Sequence, residues 1–294
     1  MLATTRQEVV MVDTSSKDSM QEGLHNLYPS RDKHALKGLY LCSDLRQHIA
    51  DGETYVYSNF ITSLDGRIAI TPTVCDDLEI PEETANPRDW RLFLELAAPA
   101  DALIVSGRYV RQLAEGSAQA TPPFESDTPE DLRDFRAQNN LPIKPALVIL
   151  SNSLDLPVDM LAGYEDRRII VATSDKGSAD KVKALKSAGI VVKRLGSSRV
   201  NGRLLIEALK QEGLKLIFSM AGPLVMHTLL AANVLDRLYM TTVLRILSGA
   251  EFATIARGDL LDPAYDFTLS ALYLDKHGPD GVEQLLQVYD KRST

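Results

Sequence analysis

Three stretches of the sequence hold residue types that could meet a ligand. In LIFSMAGPLVMHTLL (216–230) an apolar strand runs to Met220, Ala221 and Gly222 make a turn, and Pro223 opens a helix through Leu224. Small residues let a ligand approach the backbone. A helix N-terminus adds free N–H groups and the positive end of the helix dipole, the chemistry of a phosphate or pyrophosphate site. The same three residues also suit a tight strand-to-helix turn that binds nothing. ALIVSGRY (102–109) repeats the arrangement with Ser106, Gly107 and a helical turn; Arg108 reads either as a phosphate-facing charge or as an ordinary surface residue. In NFITSLDGRIAI (59–70), Asn59 and Ser63 stand where a strand end could hydrogen-bond a ligand. Asp65 before Gly66 reads equally well as the turn of a hairpin between apolar runs.

Several chemistries are excluded by what is missing. No GxGxxG follows a strand, and there is no Walker P-loop. GxSxG is absent, so no nucleophile elbow is expected. The histidines are His25, His34, His48, His227 and His277; no pair has zinc spacing and CxxC is absent, so no metal site is expected. His227 falls one turn into the helix after Gly222, either facing a ligand or packed structurally.

The elements that would carry these residues alternate. YVYSNF from Tyr55 reads as a strand, and Asn86 with Pro87 as the cap and first residue of a helix bearing Trp90, Phe93, Leu94 and Leu96 on one face. Strands are expected at Ala102–Ser106, 146–150, 167–173, 189–195, 214–220 and 235–247. Helices are expected at 178–187, from the Asn201 cap to Glu212, and from Pro223 to Ala232. YDFTLSALYL and GVEQLLQVY close the chain as antiparallel strands. This is an α/β fold with a mostly parallel sheet flanked by helices and antiparallel C-terminal edge strands. Residues 116–144, rich in Pro, Ser, Asp and Glu, form an insertion or lid containing a short helix at DLRDFRAQ. Residues 1–50 read as an N-terminal extension, disordered to about residue 25 and surface-packed beyond it; 51–294 is the catalytic domain.

Composition narrows the class. The 294 residues carry 32 Lys and Arg against 40 Asp and Glu, a net charge of −8, which argues against nucleic acid as a partner. With 45% hydrophobic and 24% charged residues the chain is an ordinary globular one. No stretch approaches the roughly 20 apolar residues of a membrane span. Two cysteines, Cys42 and Cys75, make no disulfide framework, and a cytoplasmic location is expected.

Together the segments resemble the pyrimidine reductase family of riboflavin biosynthesis, whose reductase domain is related in fold to dihydrofolate reductase. The resemblance runs in order through LYPS at 27–30, NFITSLDGR at 59–67, DWRLFLELAAPADALIVSG at 89–107, PALVILSNSLDLP at 145–157 and MAGPLVMHTLLAANVLDRLYMTT at 220–242. The HxE and PCxxC motifs of the deaminase domain sometimes fused to this reductase are absent. The resemblance implies NADPH across the carboxyl ends of the strands, held by Ser106, Gly107, Ala221, Gly222, Pro223 and Leu224. It implies hydride transfer to the ribosyl carbon of 5-amino-6-(5-phosphoribosylamino)uracil. Asn59, Ser63 and Asp65 would line the substrate, with Asp65 the candidate catalytic residue, and the protein would be a homodimer. Lys176 and Arg199, in loops after strands, are candidates for the cofactor's 2′-phosphate. The chain departs from the family pattern at Ala97, usually Arg, at Met220, usually Glu, and in RYVRQLAEG (108–116) after the strand. These departures leave open a reductase acting on another heterocycle, such as a dihydropterin, or a silent relative that binds a nucleotide or a partner.

Overall fold

The apolar runs of the sequence form the buried middle of one sheet in the computed structural model, which describes residues 20–71 and 78–292. In chain order the strands are β1 (Leu24–Tyr28), β2 (Lys33–His34), β3 (Tyr55–Ser63), β4 (Ala69–Ile70), β5 (Ala102–Ser106), β6 (Ala146–Leu150), β7 (Ile169–Thr173), β8 (Val191–Arg194), β9 (Leu216–Ser219), β10 (Arg237–Val243), β11 (Phe252–Ala253), β12 (Phe267–Asp275) and β13 (Gln284–Lys291). The helices are α1 (Pro87–Ala97), α2 (Gly107–Glu115), α3 (Glu130–Gln138), α4 (Val158–Ala162), α5 (Ala179–Ser187), α6 (Gly202–Gln211) and α7 (Pro223–Ala231).

Eleven strands join in the order β2-β1-β12-β13-β10-β3-β9-β5-β6-β7-β8. From β10 to β8 every pairing is parallel, so these strands end along one edge of the sheet. β12 and β13 pair antiparallel beside β10. Successive residues of β5 serve two cores. Leu103 and Val105 pack with Leu92 and Leu96 of α1 and Val110 of α2; Ala102 and Ile104 pack with Leu205 and Leu209 of α6 and Met226 and Leu229 of α7. Helices α1 to α5 therefore cover one face and α6 and α7 the other. An aromatic pillar fills the first core: Tyr57 stacks on Phe218 at 5.0 Å, and its hydroxyl donates to Leu96 O at 2.6 Å.

α1 starts as expected, with the Asn86 side chain accepting from Asp89 N–H and Pro87 at the first position. Its first turn is clamped to the antiparallel strands. Arg88 Nε meets Asp275 Oδ2 at 2.7 Å with both side chains fully buried, and Gln284 Nε2 donates to the same oxygen at 2.9 Å.

The structure corrects four expectations. The segment after residue 20 does not simply pack on the surface: β1 pairs with β12, Leu24 is fully buried, and β1 and β2 extend the antiparallel edge that the C-terminal strands β12 and β13 build. Residues 1–19 lie outside the described residues, as does Cys75; Cys42 is an exposed free thiol. Asp65-Gly66 does not close a hairpin, because β4 pairs with β11 and leaves β3. The expected strand 235–247 is shorter, ending at Val243. In the 116–144 insertion, α3 is drawn under the sheet: the buried Arg136 guanidinium donates to Ala98 O and Ala100 O, both at 2.8 Å, at the end of α1. Among the described residues no helix is long and apolar enough to cross a membrane.

Candidate active site

The parallel strands end at Ser63, Val243, Ser219, Ser106, Leu150, Thr173 and Arg194. Between β9 and β5 the connections diverge: β5 continues into α2 on the first face, β9 into α7 on the second. Such a divergence opens a crevice outside the carboxyl ends of two neighbouring strands, the usual ligand position in an open α/β sheet. Met220 N–H donates to Ile104 O at 3.1 Å and closes the floor of the crevice.

The structure brings the six expected cofactor residues to this crevice from both sides. Gly222 is the N-cap of α7 and no side chain caps the helix; Pro223 has no N–H and Val225 N–H bonds back to Gly222 O at 3.1 Å, so Leu224 N–H is the first-turn group without a backbone partner among the described residues. Gly222 has φ −72, and a Cβ built there meets nothing within 4 Å. The glycine is thus not required by strain or packing; it leaves open space in front of the backbone. Leu224 beside it is exposed, Ala221 is buried, and the Ser219 hydroxyl is buried without a hydrogen-bond partner. Across the crevice Ser106 spends its side chain on capping, accepting from Tyr109 N–H at 3.2 Å. Gly107 is needed for packing, since a Cβ there would lie 2.8 Å from Ser151 Oγ. Ser106 and Gly107 therefore place the α2 terminus, while Ala221 to Leu224 offer the open backbone. Lys176 and Arg199 are exposed in loops after β7 and β8, farther along the same edge. Arg194 ties that region, donating to Gly177 O at 2.9 Å.

On the other side of β9, β3 runs past its neighbour: Ser58 pairs with Ser219, so Asn59 to Ser63 extend beyond the end of β9. Asn59 is half-buried and Ser63 buried. Asp65 is fully engaged. Ser63 Oγ donates to its Oδ1 at 2.5 Å, Ser248 N–H to its Oδ2 at 2.8 Å, Leu247 N–H to Oδ1 at 3.3 Å, and Arg67 pairs with it at 2.7 Å. These donors, the Ser63 hydroxyl foremost, hold the carboxyl down at about 2. At neutral pH it has no proton to give, and it ties the 63–67 turn to the loop after β10. His227 likewise anchors a loop, with Nε2 2.8 Å from Asp259 O.

The two departures separate. Ala97 is fully buried at the C-terminal end of α1, near the amino end of β5, on the edge opposite the crevice. An Arg there would not reach the crevice as a direct ligand. Met220 does lie in the crevice, half-buried.

One buried carboxyl beside the same end of β3 is not signalled in the sequence. Asp89, in the first turn of α1, keeps only 9% of its surface and accepts from the Thr241 hydroxyl at 2.5 Å. Thr241 pairs with Ile61, between Asn59 and Ser63, in register on the same face of the sheet. Burial pushes the Asp89 carboxyl up to about 6, against the downward pull of the Thr241 hydroxyl. In sequence it is an acid three residues after an N-cap, the commonest place for one. Among the described residues no three His, Cys, Asp or Glu side chains gather as a metal site.

Comparison with known proteins follows this geometry. The profile of the RibD C-terminal domain matches residues 54–268. A pyrimidine reductase-like protein of Corynebacterium diphtheriae is similar in structure at 20% identity, over 83% of this chain and 94% of its own, with a TM-score of 0.59. A riboflavin biosynthesis reductase of Saccharomyces cerevisiae is similar at 14% identity, 87% and 99% coverage and a TM-score of 0.56. RibD of Acinetobacter baumannii is similar at 16% identity and a TM-score of 0.55, with 81% of this chain spanning 58% of that one. At these identities the likenesses establish a shared fold. No curated protein sequence matches.

Proposed function

The chain belongs to the RibD C-terminal domain family, and from that premise we propose that it is an NADPH-dependent reductase of 5-amino-6-(5-phosphoribosylamino)uracil, reducing the ribosyl carbon. The observation that carries the reading is the crevice between β5 and β9, with an uncapped helix terminus and an open glycine on one wall and the Asn59–Ser63 extension of β3 beyond it. These features fit a dinucleotide. The turn Ala221 to Leu224 would hold the pyrophosphate on backbone N–H groups, Ser106 and Gly107 would form the facing wall, and Lys176 and Arg199 would take the 2′-phosphate. The bound nicotinamide supplies the hydride; the chain's task is to set the substrate's sugar carbon against it and keep water out. Asn59 and Ser63 would hold the substrate, and Asp65 would fix the loop beside them.

Met220 favours a second reading. A thioether in the floor of the crevice offers no charge to accept N–H or O–H donors, so a heterocycle with fewer donors, such as a dihydropterin, is the alternative substrate.

A homodimer is part of the same proposal. In the antiparallel half, no helix among the described residues covers the sheet face that carries Met240, Leu285, Tyr289, Leu272 and Leu274, all half-buried. A second copy would bury it.

Calorimetric titration with NADPH and NADH, then loss of the reduced-nicotinamide absorbance on adding the uracil substrate, tests the proposal. Tight NADPH binding with turnover is expected. Binding with turnover only on a pterin would select the second reading, binding without any turnover would select a silent relative, and no nucleotide binding would refute the reductase.

A further inference from the structure

The loop after β10 reaches the wall of the crevice and brings a cation that neither the fold nor the Asp65 tie uses. It starts on the β3 side: Phe252–Ala253 of β11 pair with Ala69–Ile70 of β4, and Ile68 N–H donates to Ala253 O at 3.0 Å. Ile255 and Ala256 then pack into the second core, the one that holds Ala221 and Val225. Arg257 N–H donates to Pro223 O at 3.1 Å, which seats Arg257 on the first residue of α7. The next two residues keep it there. Gly258 lies so close to His227 that a Cβ on it would collide with the imidazole ring. The same ring has Nε2 2.8 Å from Asp259 O. Residues 257–259 therefore run beside α7 from its first turn to its second.

The Arg257 guanidinium is exposed and makes no hydrogen bond or ion pair among the described residues. Other arginines along this edge are occupied: Arg67 pairs with Asp65, Arg245 with Asp280, and Arg194 donates to Gly177 O. The helix terminus beside Arg257 is short of donors for an anion. Of its first turn, Pro223 has no N–H and Val225 N–H returns to Gly222 O, which leaves Leu224 N–H. A second donor is buried next to it. The Ser219 side chain is fully buried and its hydroxyl has no partner. Phe218 faces the first core and Ile217 the second, so strand alternation directs Ser219 to the second face, under α7. One N–H and one hydroxyl do not balance the two negative charges of a pyrophosphate. A guanidinium does, because its planar fork meets two phosphate oxygens at once.

We propose that Arg257 is a cofactor-binding residue, a step that rests on the reductase reading above. Its guanidinium completes, with Leu224 N–H and the Ser219 hydroxyl, a site for the pyrophosphate of a nicotinamide dinucleotide. NADPH and NADH carry the same pyrophosphate, so Arg257 strengthens the binding of both and selects neither. The cation arrives on a strap whose other end is paired to β4, beside the turn that Asp65 ties.

The test uses Arg257→Gln and Arg257→Lys in the full chain, with calorimetric titration of NADPH and of NADH. Both variants keep the backbone bond to Pro223 O, so urea unfolding is expected to match the wild type. R257Q is expected to weaken both nucleotides by the same factor, about tenfold, and R257K to recover part of the loss. Added salt should weaken wild-type binding more steeply than R257Q binding, because the variant has lost a screened charge pair. Equal affinity of R257Q and wild type for both nucleotides refutes the clamp and leaves the reductase reading standing. A loss confined to NADPH would put the guanidinium on the 2′-phosphate, and a rise confined to the substrate's KM would put it on the substrate's phosphate; either overturns the proposal. Absence of nucleotide binding by the wild type refutes the reductase reading and the proposal with it.

Discussion

Gly222→Val separates the cofactor wall from the fold that builds it. A Cβ at this position meets nothing within 4 Å, and φ is an ordinary −72. The folded state therefore has room for the valine. The expected stability loss is at most about 1 kcal/mol, from replacing Gly by a poorer N-cap. The two methyl groups would stand in the space in front of the Gly222–Leu224 backbone, where the proposed function would put the pyrophosphate. Losing one hydrogen bond to a charged group costs about 1.5–3 kcal/mol, a weakening of roughly ten- to more than a hundredfold in Kd. Calorimetry with NADPH measures the affinity, and urea unfolding of the same preparation measures the stability. Gly107 would be the wrong place for this experiment, because a Cβ there lies 2.8 Å from Ser151 Oγ and would disturb the packing itself. If G222V unfolds like the wild type and binds NADPH equally well, the pyrophosphate does not lie on the α7 terminus and the cofactor assignment fails.

Three further outcomes are expected. Arg88→Met leaves the buried Asp275 without its cation and should cost about 3–5 kcal/mol in urea unfolding, with most of it restored when Asp275→Leu is added; a loss below about 1 kcal/mol would contradict the clamp. Asp65 is held at about 2 against an ordinary 3.8, so its contribution to stability is present above 3.8 and lost as pH falls through about 2. The stability gap between wild type and Asp65→Asn should accordingly close across that window in acid titration, and a gap independent of pH would show that the carboxylate's bonds are idle. Asp89 has the opposite sign: the native state keeps its proton from 3.8 up to about 6, so stability falls as pH rises through that interval. At about 1.4 kcal/mol per unit the fall is about 3 kcal/mol relative to Asp89→Asn, readable in chemical unfolding at pH 3.5 and pH 7. Parallel curves would show that Asp89 is not buried uncompensated.

What the sequence disclosed follows from the range of the interactions involved. β5 and β6 are legible because both faces of each strand are buried, which leaves an unbroken apolar run bounded by polar residues. The starts of α1 and α6 are legible because Asn86 and Asn201 cap within three residues of themselves. β1 is not, because LHNLY has few apolar residues and takes its place in the sheet from β12, nearly 250 residues away. The Asp65-Gly66 turn was misread for the same reason: the partner of Ala69–Ile70 is Phe252–Ala253, which local pattern cannot indicate. The junctions at Ser106–Gly107 and Ala221–Leu224 are legible because strand-turn-helix turns are local. Asp89 was missed because its character comes from Thr241, 152 residues on, and from burial under segments before and after it.

Asp65 and Asp89 show how surroundings drive two identical side chains apart. Both are aspartates beside the same end of β3, and Asp65 sits in the more recognisable sequence. Asp65 is bonded by a hydroxyl, two backbone N–H groups and a guanidinium, each of which favours the charged form. Asp89 has a single hydroxyl and an apolar surrounding, which favours the neutral form. Two chemically identical groups are driven to about 2 and about 6, on opposite sides of the ordinary carboxylate value. Toward neutral pH Asp65 is held charged, whereas Asp89 is the one pushed toward the proton-bearing form. The division has a structural consequence: the loop tie at Asp65 stays charged and closed across the pH range in which Asp89 exchanges its proton.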